Sequence, residues 1–460
     1  MVQAPAIYDR YLADFEAFER DAGGSEWLRD LRREAIARFR ELGLPTAREG
    51  NEPWKYTNVA PIAKTDFAFA RDGARPEGFS LPSIAPEDDD WTTLVFVNGS
   101  HLSKAPRVET PRRGVSTTPL LATTIAEALT TDEDTVRRHL AQHAAPDYDG
   151  FTALNTAFLR DGAFVRAPRE ESIAVPVHVV FAAGNAEQPT VSYPRTLVVA
   201  EPLSQLTIIE TYAGAPGARY FTNAVTEIVL GEGAHVDHYR LLLESPQAYH
   251  VGVTRVYQGR DSVFSSTSFT AGAALGRNDF KVLLDAPGSS CKLYGLYVTG
   301  GTQHIDNYIA IDHAKPHATS RLYYKGILDG KSRAVFGGTV YVRPGADKTD
   351  AYQEDKNLLL SAEAEVDSKP SLEIYADDVK CGHGATAGAV AEEAIFYMQS
   401  RGLDEQTAMR LLIQGFASEI LDRVQVGSLR AHLEGLTMGA LADVGGDRPV
   451  APTRGASHAS

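Results

Sequence analysis

The chain has 460 residues, 60 of them acidic and 45 basic, for a formal net charge of −15. That charge repels phosphate backbones and argues against nucleic-acid binding as a main role, and no apolar run reaches the roughly 18 residues of a membrane span. Two cysteines exclude a disulfide framework and suit a reducing, cytoplasmic setting, while an apolar share of 43% is ample for a core.

The N-terminal stretch is acidic and lacks the basic and apolar regions of a signal peptide. Residues 8–21 read as a helix, with Tyr8, Tyr11, Leu12, Phe15 and Phe18 at helical spacing. Gly23 and Gly24 break it, Ser25 is placed to cap a second helix carrying Leu28, Leu31, Ala35, Phe39 and Leu42, and Gly43 with Pro45 ends that one. Glu52-Pro-Trp-Lys-Tyr-Thr57 reads as an ordered connector anchored by its aromatic rings. Residues 76–90 are loop-like. Leu94 to Val97 form a strand that turns at Asn98-Gly99. Residues 125–144 read as one helix, and residues 151–159 fit a helix or a loop equally.

From residue 162 to about 376 the pattern changes. Short runs rich in Val, Ile, Leu and Tyr recur, separated by Gly, Pro, Asp or Asn. So many short strands define an all-β body, as a sandwich, a barrel or a solenoid. Its length suits a solenoid, although no strict sequence repeat is visible. After residue 386 the helical period returns. Residues 391–401 form one helix, and Asp404 caps a second with Ala408, Leu411, Leu412, Gly415, Phe416 and Ile420 down one face. Residues 445–460 read as a disordered tail.

Several motifs invite chemistry. Gly326-Ile-Leu-Asp-Gly-Lys-Ser332 is one residue short of a phosphate loop and precedes a strand rather than a helix, so Asp329-Gly330 reads as a turn. His313 and His317 flank Pro316 in a loop, and His235 and His238 fall on opposite faces of a strand; both pairs read as plain surface or turn histidines. Asp377-Asp378 reads as a turn or cap. Cys381-Gly-His383 differs. In an extended segment its thiol and imidazole point the same way, and together they suit iron, zinc or an iron–sulfur fragment. Two ligands do not close a tetrahedral site. The remainder would come from Cys291 or from a second chain. The competing reading is an inert Cys beside a hydrogen-bonded His.

Lys369-Pro370 followed by Leu372-Glu-Ile-Tyr-Ala-Asp-Asp-Val-Lys-Cys-Gly-His-Gly-Ala-Thr386 resembles the SufB/SufD family of iron–sulfur cluster assembly proteins. The segments Glu52–Thr57, Phe151–Asn155, Gly300–Asp306, Asn357–Ser361, Tyr397–Leu403 and Leu412–Leu421 fit it too, so the resemblance covers nearly the whole chain. It implies a mainly β fold: a central right-handed parallel β-helix over residues 151–376, an N-terminal mainly helical region over 1–150 and a C-terminal helical domain over 377–444. It implies a non-catalytic scaffold subunit that meets a SufB-type partner along the β-helix. A SufC-type ATPase would dock on the C-terminal helices, for which Tyr397, Arg401, Leu412 and Phe416 are candidates. It places His383, with Cys381, at the cluster-building interface, where iron or a cluster is held transiently and no cofactor is bound permanently. SufB-type chains carry a Cys on the strand that here reads Gln353-Glu-Asp-Lys-Asn357, and its absence points to the SufD branch. Self-association into a homodimer is an expectation for the chain alone. The competing functions are a purely structural self-associating β-helix and a carbohydrate-active β-helix enzyme, which would need a secreted chain.

Overall fold

A computed structural model describes residues 5–48, 50–70, 85–102, 120–184 and 188–440. The expected tail at 445–460 and most of the loop at 76–90 lie outside the described residues. The chain divides into two compact units, Met1–Ala389 and Val390–Ser460.

The first unit is a parallel β-solenoid of about seven turns. Alternate strands belong to alternate sheets, so each turn contributes one strand to each. The strands Leu275–Leu284, His304–His313, Arg333–Val342 and Glu365–Ile374 stack in one sheet, and Ser290–Thr299, Thr319–Leu328, Asp350–Leu359 and Lys380–Ala389 in the other. Successive turns pair parallel and without slippage, as in the ladders Leu275–His304–Arg333–Glu365 and Phe264–Cys291–Ser320–Ala351–Cys381. Stacked side chains such as Arg277 and Asp306 are 29 positions apart. Each strand alternates, and one face of each sheet meets the other in a shared lumen that buries Leu206, Ile208, Ile228, Phe280, Leu293, Ile309, Leu322 and Phe336.

The N-terminal elements cover the outer face of the first sheet. Helices Pro5–Asp21 and Glu26–Leu42 and the fully buried helix Gly150–Ala157 set Phe15, Phe39, Phe151 and Leu154 in one cluster with Phe221, Val251 and Leu275 of the strands. Asp149 caps the third of these helices through the Thr152 amide at 2.8 Å. Ser25 stands at the N-cap position but makes no side-chain cap bond. The stretch expected as one helix over 125–144 is two, Ile125–Thr131 and Glu133–His139. Asp132 leaves helical geometry between them, and its carboxylate pairs with Arg166 at 2.8 Å. The hairpin at Asn98-Gly99 is as expected. Both residues have positive φ, 49° and 80°, and Val97 pairs with Ser100 across a two-residue turn. Glu52 to Thr57 clasps the solenoid rather than merely burying rings. Trp54 lies over the Arg277 guanidinium at 3.8 Å, Thr57 bonds Asp306 and His304, and Glu52 pairs with Lys369.

The strand body runs past residue 376. Lys380–Ala389, which contains Cys381 and His383, is its last strand. The second unit carries helices Glu392–Gln399, Glu405–Leu421 and Gly427–Ala440. Asp404 caps the middle one through the Thr407 amide at 2.9 Å. Its buried face is Ala408, Ile413, Ala417, Ile420 and Leu421, so Leu411, read as part of that face, is 45% exposed instead.

Candidate metal-handling site

Glu365–Ile374 and Lys380–Ala389 stand at one end of the two strand orders and are hydrogen-bonded to neighbouring strands on one edge only. Their other edges carry unpaired amides and carbonyls among the described residues, which is the condition for adding a further strand. In the final strand Cys381 pairs with Ala351, His383 with Gln353 and Ala385 with Asp355. Those three partners are buried, whereas Tyr352 between them is 44% exposed. The alternation therefore sets Cys381 and His383 on the lumen-side face of the last turn, as expected for i and i+2 in a strand.

The two differ in setting. Cys381 is half-buried against Val340, Val342, Ala346 and Ala351, and burial pushes its thiol above the ordinary range. His383 is exposed. Cys291 cannot join them. It lies on the same ladder as Cys381 but three strands away, roughly 14 Å at the usual strand spacing. It is also fully buried, which pushes its thiol far above the range of a ready ligand. Among the described residues no three His, Cys, Asp or Glu side chains converge to hold a metal ion. A closed site at Cys381 and His383 thus requires ligands from outside the chain.

Beneath the last turn the lumen is polar in a way composition did not signal. Asp355 accepts hydrogen bonds from Ser368 and from the Asn357 amide, both at 2.7 Å, on Oδ2, and its Oδ1 has no partner. The Gln353 amide donates to the Ser371 carbonyl at 2.9 Å, and its Oε1 is likewise without a partner. Gly338 makes this placement possible, since a Cβ there would stand 2.6 Å from Gln353 Oε1. Burial pushes the Asp355 carboxyl up to about 6, against hydrogen bonds from Ser368, Asn357 and Tyr297 that lower it. All five side chains of Gln353-Glu-Asp-Lys-Asn357 are polar, and those at 353, 355 and 357 lie beside Leu322, Tyr324 and Gly326 of the neighbouring strand.

Of the other histidines read as surface or turn residues, His238 and His313 are buried instead, and His313 ends the strand His304–His313 rather than lying in a loop. His238 is buried between Glu210 and Ser266, and His235 faces Asp237, whose hydrogen bond raises its pKa. His313 is buried on the Ser320 hydroxyl while His317 sits in a turn at φ 62°. Lys331 follows a turn between two strands, and Asp378 pairs with Lys348. In the second unit Tyr397 is 59% exposed and accepts a bond from Arg401, Phe396 is 72% exposed, and Leu412 and Phe416 are half-buried.

The fold and this end turn define a parallel β-solenoid protein that offers a thiol and an imidazole at an open edge. A family model described as the SufBD core domain of the SUF iron–sulfur cluster assembly system matches residues 181–416, and one described as the SufBD protein N-terminal region matches residues 9–179. An iron–sulfur cluster assembly SufBD family protein of Synechocystis is 34% identical, with 85% of this chain and 86% of the relative covered. The proteins named SufD of Escherichia coli and Bacillus subtilis are 29% and 25% identical over 92% and 93% of this chain and 93% and 96% of their own. The chain belongs to the SufB/SufD family of iron–sulfur cluster assembly proteins, and these relatives place it with SufD.

Proposed function

We propose that the chain is a non-catalytic SufD-type subunit of an assembly complex with a SufB-type chain and a SufC-type ATPase. In this reading the last solenoid turn meets the sister subunit edge to edge, strand adding to strand. His383 and, through a small shift, Cys381 then contribute to a joint site for iron or a nascent cluster. The observation that carries the reading is the placement of both side chains on a terminal strand with one open edge. A transient site split between two chains suits cargo that must be released, because moving the interface removes ligands without unfolding either subunit.

The ATPase would dock on the second unit, where Phe396, Tyr397 and Arg401 expose aromatic and cationic surface and Leu412 and Phe416 lie beside them in sequence or on the next helix. ATP handling by another chain is consistent with a Gly326–Ser332 segment that forms a turn. Closure of the ATPase would shift the solenoid ends and so open or complete the site. A homodimer through the same edge is the expected state of the chain alone.

Co-expression with SufB-type and SufC-type chains tests this reading. The three should co-purify, and His383→Ala should leave the complex intact while reducing cluster maturation by about tenfold or more. A His383→Ala complex that matures clusters at the normal rate would remove His383 from the site. Failure of the three chains to associate would favour a self-associating structural solenoid.

A further inference from the structure

Two side-chain ladders reach the last strand on the outer face of its sheet. One reads Arg321, Tyr352 and Gly382, the other Tyr323, Glu354 and Gly384. Each carries a large side chain until the final strand, where both end in glycine. His383 lies between those two glycines and faces the other way. A glycine in a strand loses more freedom on folding than any other residue and offers nothing to pack. The final strand therefore has two weak points around its imidazole, and it is hydrogen-bonded along one edge only.

Tyr352 covers both. A Cβ at position 382 would stand 3.3 Å from its Cδ2 and 3.6 Å from its Cε2, and one at 384 would stand 3.8 Å from its hydroxyl oxygen. The first of these is closer than ordinary carbon contact, so the ring lies against the Gly382 backbone in the space a side chain would take. From there it leans along the strand to Gly384, the diagonal neighbour that a long aromatic side chain can reach. Gly382 and Gly384 are half-buried, whereas His383 and residues 385–389 are exposed. A ring laid over a glycine of the neighbouring strand restores packing that the missing side chain forfeits. Tyr352 is on the outer face, away from Cys381 and His383, so it acts on them through the backbone alone.

We infer that Tyr352 is a positioning residue: its ring holds the Cys381–Gly384 backbone against the strand Asp350–Leu359, and so fixes the direction of His383 and the cover over the Cys381 thiol. Without the ring the last strand frays or slips, and a slip of one residue turns both side chains to the opposite face. The consequence for cluster assembly rests on the proposed function; the positioning itself does not.

The test uses the full-length chain and two rates: labelling of Cys381 by a colorimetric disulfide reagent, assigned by mass spectrometry, and amide hydrogen exchange across residues 381–384. Cys291 is fully buried and stays unlabelled in the folded chain. Tyr352→Ala should raise both rates by about tenfold, Tyr352→Leu by about threefold, and Tyr352→Phe, which keeps the ring, by less than about twofold. Tyr375→Ala, which removes a 57% exposed ring at the end of the other sheet, should change neither. Unchanged rates in Tyr352→Ala overturn the inference, as does a rise of equal size throughout the solenoid, which would mark a loss of global stability instead. Should Tyr352→Ala not fold, the same comparison is read between Tyr352→Leu and Tyr352→Phe. In the assembled complex Tyr352→Ala should lower cluster maturation by about threefold, and Tyr352→Phe should restore it. His383→Ala separates the two readings. Faster labelling in Tyr352→Ala with normal maturation in His383→Ala keeps the positioning role and removes the assembly role. Unchanged labelling in Tyr352→Ala with lost maturation in His383→Ala does the reverse.

Discussion

The same lumen is built differently at its inner and outer turns. In the inner turns the buried acids Glu210 and Glu244 each bond a histidine. His238 lies between Glu210 and Ser266, and the Arg240 guanidinium donates to His250, which in turn bonds Glu244, itself held by the Tyr220 hydroxyl. In the outer turn the buried acid Asp355 bonds only uncharged groups, and the strand above it has an open edge. An acid bonded to a histidine on a neighbouring strand helps fix which strand stacks on which, because a slip of one residue would strand the buried pair. An acid without such a partner adds little to that register.

This contrast can be broken from either side. The largest effect is expected in the inner turns. His238→Ala leaves the Glu210 carboxylate buried without its basic partner and should lower unfolding free energy by about 3–5 kcal/mol in chemical denaturation. A loss below about 1 kcal/mol would mean that the inner network is not a stabilising unit.

The outer turn should respond with the opposite sign. The Asp355 carboxyl is raised to about 6, so the folded chain holds a proton that the unfolded chain has already released above its ordinary range. The stability tied to that proton is present at low pH and is lost as pH rises through about 6. At neutral pH and above, Asp355→Asn should therefore stabilise the chain, by up to roughly 3 kcal/mol. An unchanged or lowered melting temperature would contradict the unpaired-carboxylate picture.

A smaller effect belongs to the buried histidines. Burial lowers His250 and His313 to about 4, so unfolding takes up protons between the ordinary histidine range and that value. Stability should fall as pH drops from about 6.5 to 4. His313→Gln, at a site bonded to the Ser320 hydroxyl, should flatten the fall. A slope unchanged by that substitution would place the acid sensitivity elsewhere. The smallest effect is expected at the exposed clasp. Lys369→Ala removes the ion pair to Glu52 and should leave the melting temperature unchanged, because solvent screens such pairs.

Much of this was legible in the sequence. Punctuated β-branched runs gave the strands, Asn98-Gly99 the hairpin, Asp404 the helix cap, and extended spacing the shared face of Cys381 and His383. The resemblance supplied the solenoid. What stayed hidden depended on the stacking of turns. Cys291 and Cys381 share a ladder, yet their distance follows from how many strands intervene, which spacing along the chain does not state. Asp350–Leu359 was masked by its polar lumen face, and helix Gly427–Ala440 by a weak apolar stripe. The unpaired state of Asp355 is a property of its neighbours on two other strands, Ser368 and Ala385, and so could not be read from its own segment.

The claim that organises the account is that the face bearing Cys381 and His383 looks onto a sister subunit. A photo-reactive amino acid placed at position 383 of the full chain, co-expressed with SufB-type and SufC-type chains, reports directly on what stands opposite. The account predicts a cross-link to the SufB-type chain at a defined residue of its own edge strand. A cross-link confined to this chain, or none from an assembled complex, would contradict it.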